Sequence, residues 1–84
     1  MYNDVTFHLF NSAIYRYLRN KIEHHDLDYD KYIYAVEEIL FPDFLSKYLG
    51  KGIDNIEAVD LYVNKYMYLI KKTLLKYQAI NKIN

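Results

Sequence analysis

Residues 54–82 read DNIEAVDLYVNKYMYLIKKTLLKYQAINK and form the longest helical pattern in this chain of 84 residues. Apolar residues recur there at alternating spacings of three and four, which places them along one face of an α-helix. This seam consists of Ile56, Val59, Val63, Tyr66, Ile70, Thr73, Tyr77 and Ile80. The pattern predicts one long C-terminal helix whose seam closes a hydrophobic core.

A second apolar stripe repeats every seven residues on the opposite side of the same predicted helix. It consists of Leu61, Tyr68 and Leu75, and it is bordered by Lys65, Lys72 and Lys76. A helix needs one apolar face to pack on its own domain, so a second stripe indicates contact with another molecule. Two alternatives stay open: the three residues are ordinary exposed apolar side chains, or the first helix covers them.

The predicted length of this helix also favours an intermolecular contact. About 27 residues at 1.5 Å per residue give a helix on the order of 40 Å long. A compact domain of this size has a radius of gyration of about 12 Å and is only about 30 Å across. We therefore expect about two turns to project beyond the body, with Tyr77 and Ile80 covered by a second copy of the chain.

Two further helices are predicted in the first half of the chain. The first runs from about Val5 to His24, with Asn3 or Asp4 as its N-cap. The second begins after an N-cap at Asp28. It is expected to stop at Pro42, because a proline disfavours the α conformation of the residue before it.

A short helix is predicted between Pro42 and the long C-terminal helix. It covers Asp43 to Leu49, with Asp43 as N-cap and Gly50 just beyond its end. Asp54, followed three residues later by Glu57, resembles a capping box at the start of the last helix. No strand pattern is evident. The sequence predicts an all-α fold: a bundle of three main helices plus one short helix.

Composition is consistent with a single globular domain that spans residues 1–84. Apolar residues make up 52% and charged residues 26%, which is an ordinary balance for a folded protein. The charges of eleven basic and eleven acidic residues cancel, which argues against a dedicated nucleic-acid-binding protein. No net charge repulsion opposes self-association. Because the chain has no cysteine, disulfides and thiolate zinc sites are excluded.

The sequence also suggests where the protein comes from and where it acts. Residue types with AT-rich codons (Phe, Tyr, Met, Ile, Asn and Lys) make up half of the chain, which indicates a low-GC bacterium or its phage or mobile element. The eleven tyrosines follow from the same bias. We find no signal peptide and no apolar run long enough to span a membrane, so we expect a cytoplasmic protein.

Two segments were considered as metal sites. Four acidic residues have the spacing of an EF-hand calcium loop: Asp26, Asp28, Asp30 and Glu37. However, Lys31 occupies the position where that loop needs glycine, so an acidic helix start is the favoured interpretation. His24 and His25 are adjacent on a helix, where side chains point about 100° apart and do not easily reach one ion. We expect no metal and no cofactor.

Catalytic candidates are few. Ser12 and Ser46 are the two serines, and neither lies in a nucleophile-elbow context. The Gly50–Gly52 loop is too short for a phosphate-binding loop. His8 is isolated from any evident partner. We therefore expect neither an enzyme nor a small-molecule substrate.

The favoured function is protein–protein binding as a regulator or inhibitor, with self-association through the long helix into a homodimer. The expected contact residues are Leu61, Lys65, Tyr68, Lys72, Leu75, Lys76, Tyr77 and Ile80. The alternative is a small nucleic-acid-binding protein, in which the lysines neutralise phosphates while Tyr62 and Tyr68 stack on bases. In that case Arg16 and Arg19 would add charge from the first helix.

Overall fold

The computed structural model describes residues 4–20 and 26–81, and these segments are built from α-helices. Helix α1 spans Asp4–Arg19, and α2 spans Tyr29–Ala35. Helix α2 continues through a π-helical segment, Val36–Leu40, into α3, Phe41–Tyr48. Helices α4, Asn55–Lys65, and α5, Met67–Lys76, follow. The predicted all-α fold is confirmed. The proposed cap at Asn3 and the predicted end of the first helix at His24 lie outside the described residues.

Aromatic side chains from three helices form the centre of the core. Phe10 of α1 is fully buried, and its ring centroid lies 5.0–5.5 Å from those of Phe41, Phe44 and Tyr62. These distances are typical of aromatic pairs that contribute beyond simple area burial. Phe10 therefore joins α1 to both α3 and α4, and it fixes the side of α4 that faces inward.

The prediction that Pro42 ends a helix is wrong. Leu40 and Phe41 both keep α-helical backbone angles, so the chain stays helical through the proline. The Phe41 N–H donates to the carbonyl of Val36, five residues back, instead of four. A proline ring normally clashes with the carbonyl four residues earlier, and the wider π turn gives that ring room. Asp43 consequently lies within the first turn of α3 and is not its N-cap.

Three predicted helix ends are confirmed. The Asp28 carboxylate accepts a hydrogen bond from the Lys31 N–H at 3.2 Å, and the Asp54 carboxylate accepts one from the Ile56 N–H at 3.1 Å. Gly50, just beyond the C-cap of α3, has a φ of +75°, which side-chain-bearing residues rarely adopt. Short-range capping chemistry therefore sets these boundaries, as their residue types predict.

The long C-terminal helix is not continuous. Tyr66, with φ −112° and ψ 28°, separates α4 from α5. The Tyr66 N–H still donates to the Tyr62 carbonyl, and the Ile70 N–H donates to the Tyr66 carbonyl, so four-residue spacing holds on each side. The predicted seam is also incomplete, because Ile56 is exposed. The remaining seam residues are buried or half-buried.

The predicted projection of two turns beyond the body is wrong. Helix α5 ends at Lys76, and Gln78 adopts a φ of 57° that turns the chain back towards the core. Ile80 then pairs with Leu27 in an antiparallel bridge. The hydrogen bonds around that bridge, Asp28 N–H to the Ala79 carbonyl and Asn81 N–H to the Asp26 carbonyl, are both 2.8 Å long. The chain's own residues therefore cover the apolar end that was expected to need a second copy.

Candidate functional site

The outer face of α4 and α5 carries the second apolar stripe. We define the outer face as Leu61, Lys65, Tyr68, Lys72 and Leu75, all of which are exposed. Tyr68 is 77% exposed, between Leu61 at 44% and Leu75 at 47%. Because the opposite side of the two helices is held in the core by Tyr62, Ile70 and Leu74, these side chains point away from the domain. Within the described residues the first helix does not bury them.

Lysines line one side of the outer face and a methionine lies on the other. At 100° per residue, Lys72 and Lys76 lie about 40° and 80° to one side of Tyr68. Leu75 lies within about 20° of Tyr68. Met67 lies about 100° to the opposite side and is also exposed. Met67 was not among the contact residues expected from the sequence. The signal was its place directly before Tyr68, at one edge of the apolar stripe.

The lysine flank, which we define as Lys65, Lys72 and Lys76, is not neutralised locally. No carboxylate residue stands three or four positions before or after any of the three. No ion pair joins them to a carboxylate in residues 4–20 or 26–81. Lys65 and Lys76 instead lie 5.7 Å from the ring centroids of Tyr66 and Tyr77, a distance typical of weak cation–π contacts. The flank therefore presents uncompensated positive charge to solvent.

Two of the expected contact residues do not belong to the outer face. Tyr77 is half-buried, and its ring centroid lies 5.6 Å from that of Tyr34 on α2. Ile80 is buried in the core beside Ala79. Tyr77 lies about 180° from Tyr68 around the helix, on the seam side, and the reversal at Gln78 directs Ile80 into the core.

A polar cluster lies beneath the break between α4 and α5. The Tyr62 hydroxyl donates to the Asp43 carboxylate at 2.8 Å, and Lys47 Nζ lies 2.6 Å from both oxygens of that carboxylate. Lys47 also lies 4.7 Å from the centroid of the Tyr66 ring. Burial, followed by the hydrogen bond to Asp43, raises the pKa of Tyr62 far above its usual value. The cluster joins α3 to the break between α4 and α5 at Tyr66.

The position of Tyr62 corrects the set of residues expected to contact a nucleic acid. Its ring is fully buried and its hydroxyl is bonded to Asp43, so it is not available to stack on a base. On the outer face, Tyr68 is the aromatic ring that remains accessible. A stacking platform needs successive exposed rings along the strand, and this face supplies one.

Among the other candidate residues, Asp28 and Ser46 take part in local structure. In residues 4–20 and 26–81, no three His, Cys, Asp or Glu side chains are grouped so that they could hold a metal ion. His24 and His25 lie outside the described residues. Asp28 caps α2, and the Ser46 hydroxyl donates to the Asp43 carbonyl at 2.7 Å, within its own helix. No helix in the described part of the chain is long and apolar enough to cross a membrane.

No protein-family model matches this chain, and no curated protein or solved structure is similar to it at a significant level. The outer face is therefore interpreted from its own geometry and charge. An exposed tyrosine fits the aromatic enrichment of interface cores, and the lysines beside it fit the polar rim that surrounds such a core.

Proposed function

We propose that the protein acts without catalysis, by binding another protein through its outer face as a regulator or inhibitor. The observation that carries this proposal is the exposure of Tyr68, at 77%, between Leu61 and Leu75. Tyrosine is enriched at protein interfaces, because its ring buries a large apolar area while its hydroxyl keeps a polar partner. A small helical chain can act by covering the surface of a larger protein.

The size of the outer face favours a modest affinity. This face presents three large apolar side chains, far fewer than the roughly 20–30 residues per partner of a standard interface, so we expect it to bury less than roughly 1,200 Å² in total. Interfaces of that size are typical of transient regulatory contacts. Affinity then depends on one or two central residues, and the central position on this face belongs to Tyr68.

Affinity capture from the source cells, with mass spectrometry, tests the proposal. The bait is used as wild type, as Tyr68→Glu and as Tyr29→Glu. Tyr29 is the matched control, because it is an exposed tyrosine on α2. A partner of the outer face is retained by wild type and by Tyr29→Glu and is lost with Tyr68→Glu. Identical captures by all three baits would contradict a role for this face.

A second copy of the chain is one possible protein partner. Size-exclusion chromatography with light scattering should then give about twice the chain mass of 10.2 kDa. Leu75→Glu should shift that mass towards the monomer, because a charge would be buried without a partner at the contact. A monomer at high micromolar concentration would remove the homodimer and leave binding to a different protein.

The lysine flank beside Tyr68 supports nucleic-acid binding as the second candidate function. Phosphate neutralisation by lysines makes binding strongly dependent on salt. A gel-retardation assay should therefore show a complex with DNA or RNA at low salt that disappears as salt rises. Absence of retardation at low salt would eliminate this alternative.

A further inference from the structure

We propose that the partner of the outer face presents an acidic amphipathic helix. Its apolar residues pack on Leu61, Tyr68 and Leu75, and a row of carboxylates along one edge faces the lysine flank. This inference rests on the proposed function of the outer face as a protein-binding surface. It adds the chemistry and the shape of the partner.

The lysine flank is uniformly positive, whereas the opposite side of the stripe is mixed in charge. Lys72 and Lys76 lie on the same side of the line from Tyr68 to Leu75, and Lys65 lies on that side one turn before Tyr68. The side that carries Met67 also carries Asp60 and Lys71, so its charges are of both signs. A partner that matches this surface needs carboxylates along one edge and apolar side chains across the middle.

The protein itself does not pair the lysine flank with carboxylates. The lysine flank has no carboxylate at the neighbouring helical positions and no ion pair within the described segments. Two of the other described lysines do have a carboxylate partner. Lys47 lies 2.6 Å from the Asp43 carboxylate, and Lys31 lies 3.9 Å from that of Asp28. Lys51 and Lys71 also lack an ion pair in the described residues, but the lysine flank is where three unpaired lysines follow one side of the stripe.

A second copy of the chain matches this surface poorly. In a symmetric antiparallel pair, each side of a helix meets the same side of the other copy, so the lysine flank would face itself. In a parallel pair, the lysine flank would face the side that carries Asp60, Met67 and Lys71. The negative charge of Asp60 on that side is offset by the positive charge of Lys71. Like charges at an interface are unfavourable, so a different, acidic protein is the better occupant.

A nucleic acid also matches the surface less well than an acidic helix. Leu61, Leu75 and Met67 are aliphatic side chains, which a phosphate backbone does not bury favourably. An apolar helix face with carboxylates at its edge satisfies both the leucines and the lysines.

The spacing of the outer face sets the repeat of the partner helix. Leu61, Tyr68 and Leu75 are seven residues apart and extend over about 21 Å of helix. A partner helix therefore needs an apolar residue every seventh position over at least four turns. Its carboxylates belong on one flank at matching seven-residue intervals.

Two synthetic peptides of about 21 residues, the length of six helical turns, provide the test. They share the same apolar repeat and carry either glutamates or lysines along one flank. Backbone amide shifts of the ¹⁵N-labelled protein are followed as each peptide is added to wild type, to Lys72→Glu and to Lys51→Glu. Lys51, exposed in the loop between Gly50 and Gly52, is the matched control.

We expect the glutamate peptide to shift the signals of the outer face and to bind about tenfold more tightly than the lysine peptide. Lys72→Glu should remove or reverse that preference, while Lys51→Glu should leave it unchanged. Equal binding of both peptides, shifts centred on α2, or no effect of Lys72→Glu would overturn the inference. So would displacement of the glutamate peptide by an oligonucleotide of thymidines, which would favour a nucleic acid.

The proposed function can fail separately from this inference. If the outer face binds proteins but prefers the lysine peptide, only the acidic character of the partner is wrong. If neither peptide shifts the outer face and the captures by wild type and Tyr68→Glu are identical, both the inference and the proposed function are overturned.

Discussion

Among the tyrosines of the described residues, Tyr32 and Tyr62 are fully buried, and the hydroxyl of each donates a hydrogen bond. The Tyr62 hydroxyl donates to Asp43, and the Tyr32 hydroxyl donates to the Asn11 side-chain oxygen at 2.9 Å. Codon bias explains why tyrosine is abundant, but it does not place these hydroxyls beside an acceptor. A buried hydroxyl without a partner would be costly, so each pair fixes the position of one helix against another.

Removal of the Tyr62 hydroxyl should lower stability moderately. Tyr62→Phe deletes the bond to Asp43 but leaves that carboxylate paired with Lys47, so we expect a loss of about 1–2 kcal/mol in the free energy of unfolding. Urea titration followed by circular dichroism measures the change. Tyr68→Phe is the control and should lie within about 0.5 kcal/mol of wild type, because its hydroxyl is in solvent. An equal loss in both variants would contradict the role of the bond.

The buried tyrosines also predict a loss of stability at alkaline pH. Burial raises the pKa of Tyr32 and Tyr62 well above the value of about 10 for an unfolded tyrosine. Above that pH the unfolded chain releases protons that the folded chain keeps, so stability falls as pH rises. Each tyrosine contributes a slope of about 1.4 kcal/mol per pH unit, and below about pH 10 its contribution is fully present.

Urea unfolding between pH 9 and pH 11.5 tests this dependence, a range that extends on both sides of the tyrosine pKa of about 10. Tyr32→Phe and Tyr62→Phe should each reduce the slope of stability against pH above pH 10 by about 1.4 kcal/mol per pH unit, which corresponds to one proton. The double variant should reduce the slope by twice that amount. Tyr68→Phe is the control and should keep the wild-type slope. If the slope of the double variant matched that of wild type, other groups would be responsible for the alkaline loss.

At the scale of the helices, the boundaries set by neighbouring residues were predictable and those set by packing were not. Asp28, Asp54 and Gly50 act through hydrogen bonds or backbone angles within a few residues, so their types alone indicate the helix ends. Pro42 was misread because a π turn, which local propensity does not predict, makes room for its ring.

The break at Tyr66 likewise depends on partners that are distant in sequence. Its ring centroid lies 5.0 Å from that of Tyr62 and 4.7 Å from Lys47 Nζ, which belongs to α3. Nothing in the heptad pattern distinguishes Tyr66 from its neighbours, since proline and glycine are absent from this stretch. Tertiary contacts with α3 accompany the break, and a periodic pattern in one segment cannot show them.

The N-cap of α4 gives a prediction at this scale. Asp54→Ala removes the acceptor of the Ile56 N–H and should cost about 1 kcal/mol of stability. Asp54→Asn keeps a capping oxygen and should lose only a few tenths of that amount. Thermal unfolding at neutral pH compares the two variants with wild type. If the asparagine variant lost as much as the alanine variant, the loss would come from charge and not from capping.

For the molecule as a whole, the outer face was predictable and the end of the chain was not. Leu61, Tyr68 and Leu75 follow a seven-residue repeat that survives the break at Tyr66, so all three remain exposed. Tyr77 and Ile80 belong to the seam, and a continuous helix would have carried them beyond the body, where a second copy was expected to cover them. The reversal at Gln78 requires a positive φ in a residue that rarely adopts it, and the packing of Ile80 compensates for this strain.

A substitution after the reversal should therefore lower stability, whereas one before it, on the outer face, should weaken binding. Ile80→Ala removes a buried side chain that pairs with Leu27, so it should cost about 2–4 kcal/mol of stability even in the monomer. Leu75→Ala should stay within about 0.5 kcal/mol of wild type while it weakens binding of the glutamate peptide. Urea unfolding and the peptide titration separate the two effects. If Leu75→Ala lost as much stability as Ile80→Ala, the stripe would belong to the core, and the outer face would have no surface to offer a partner.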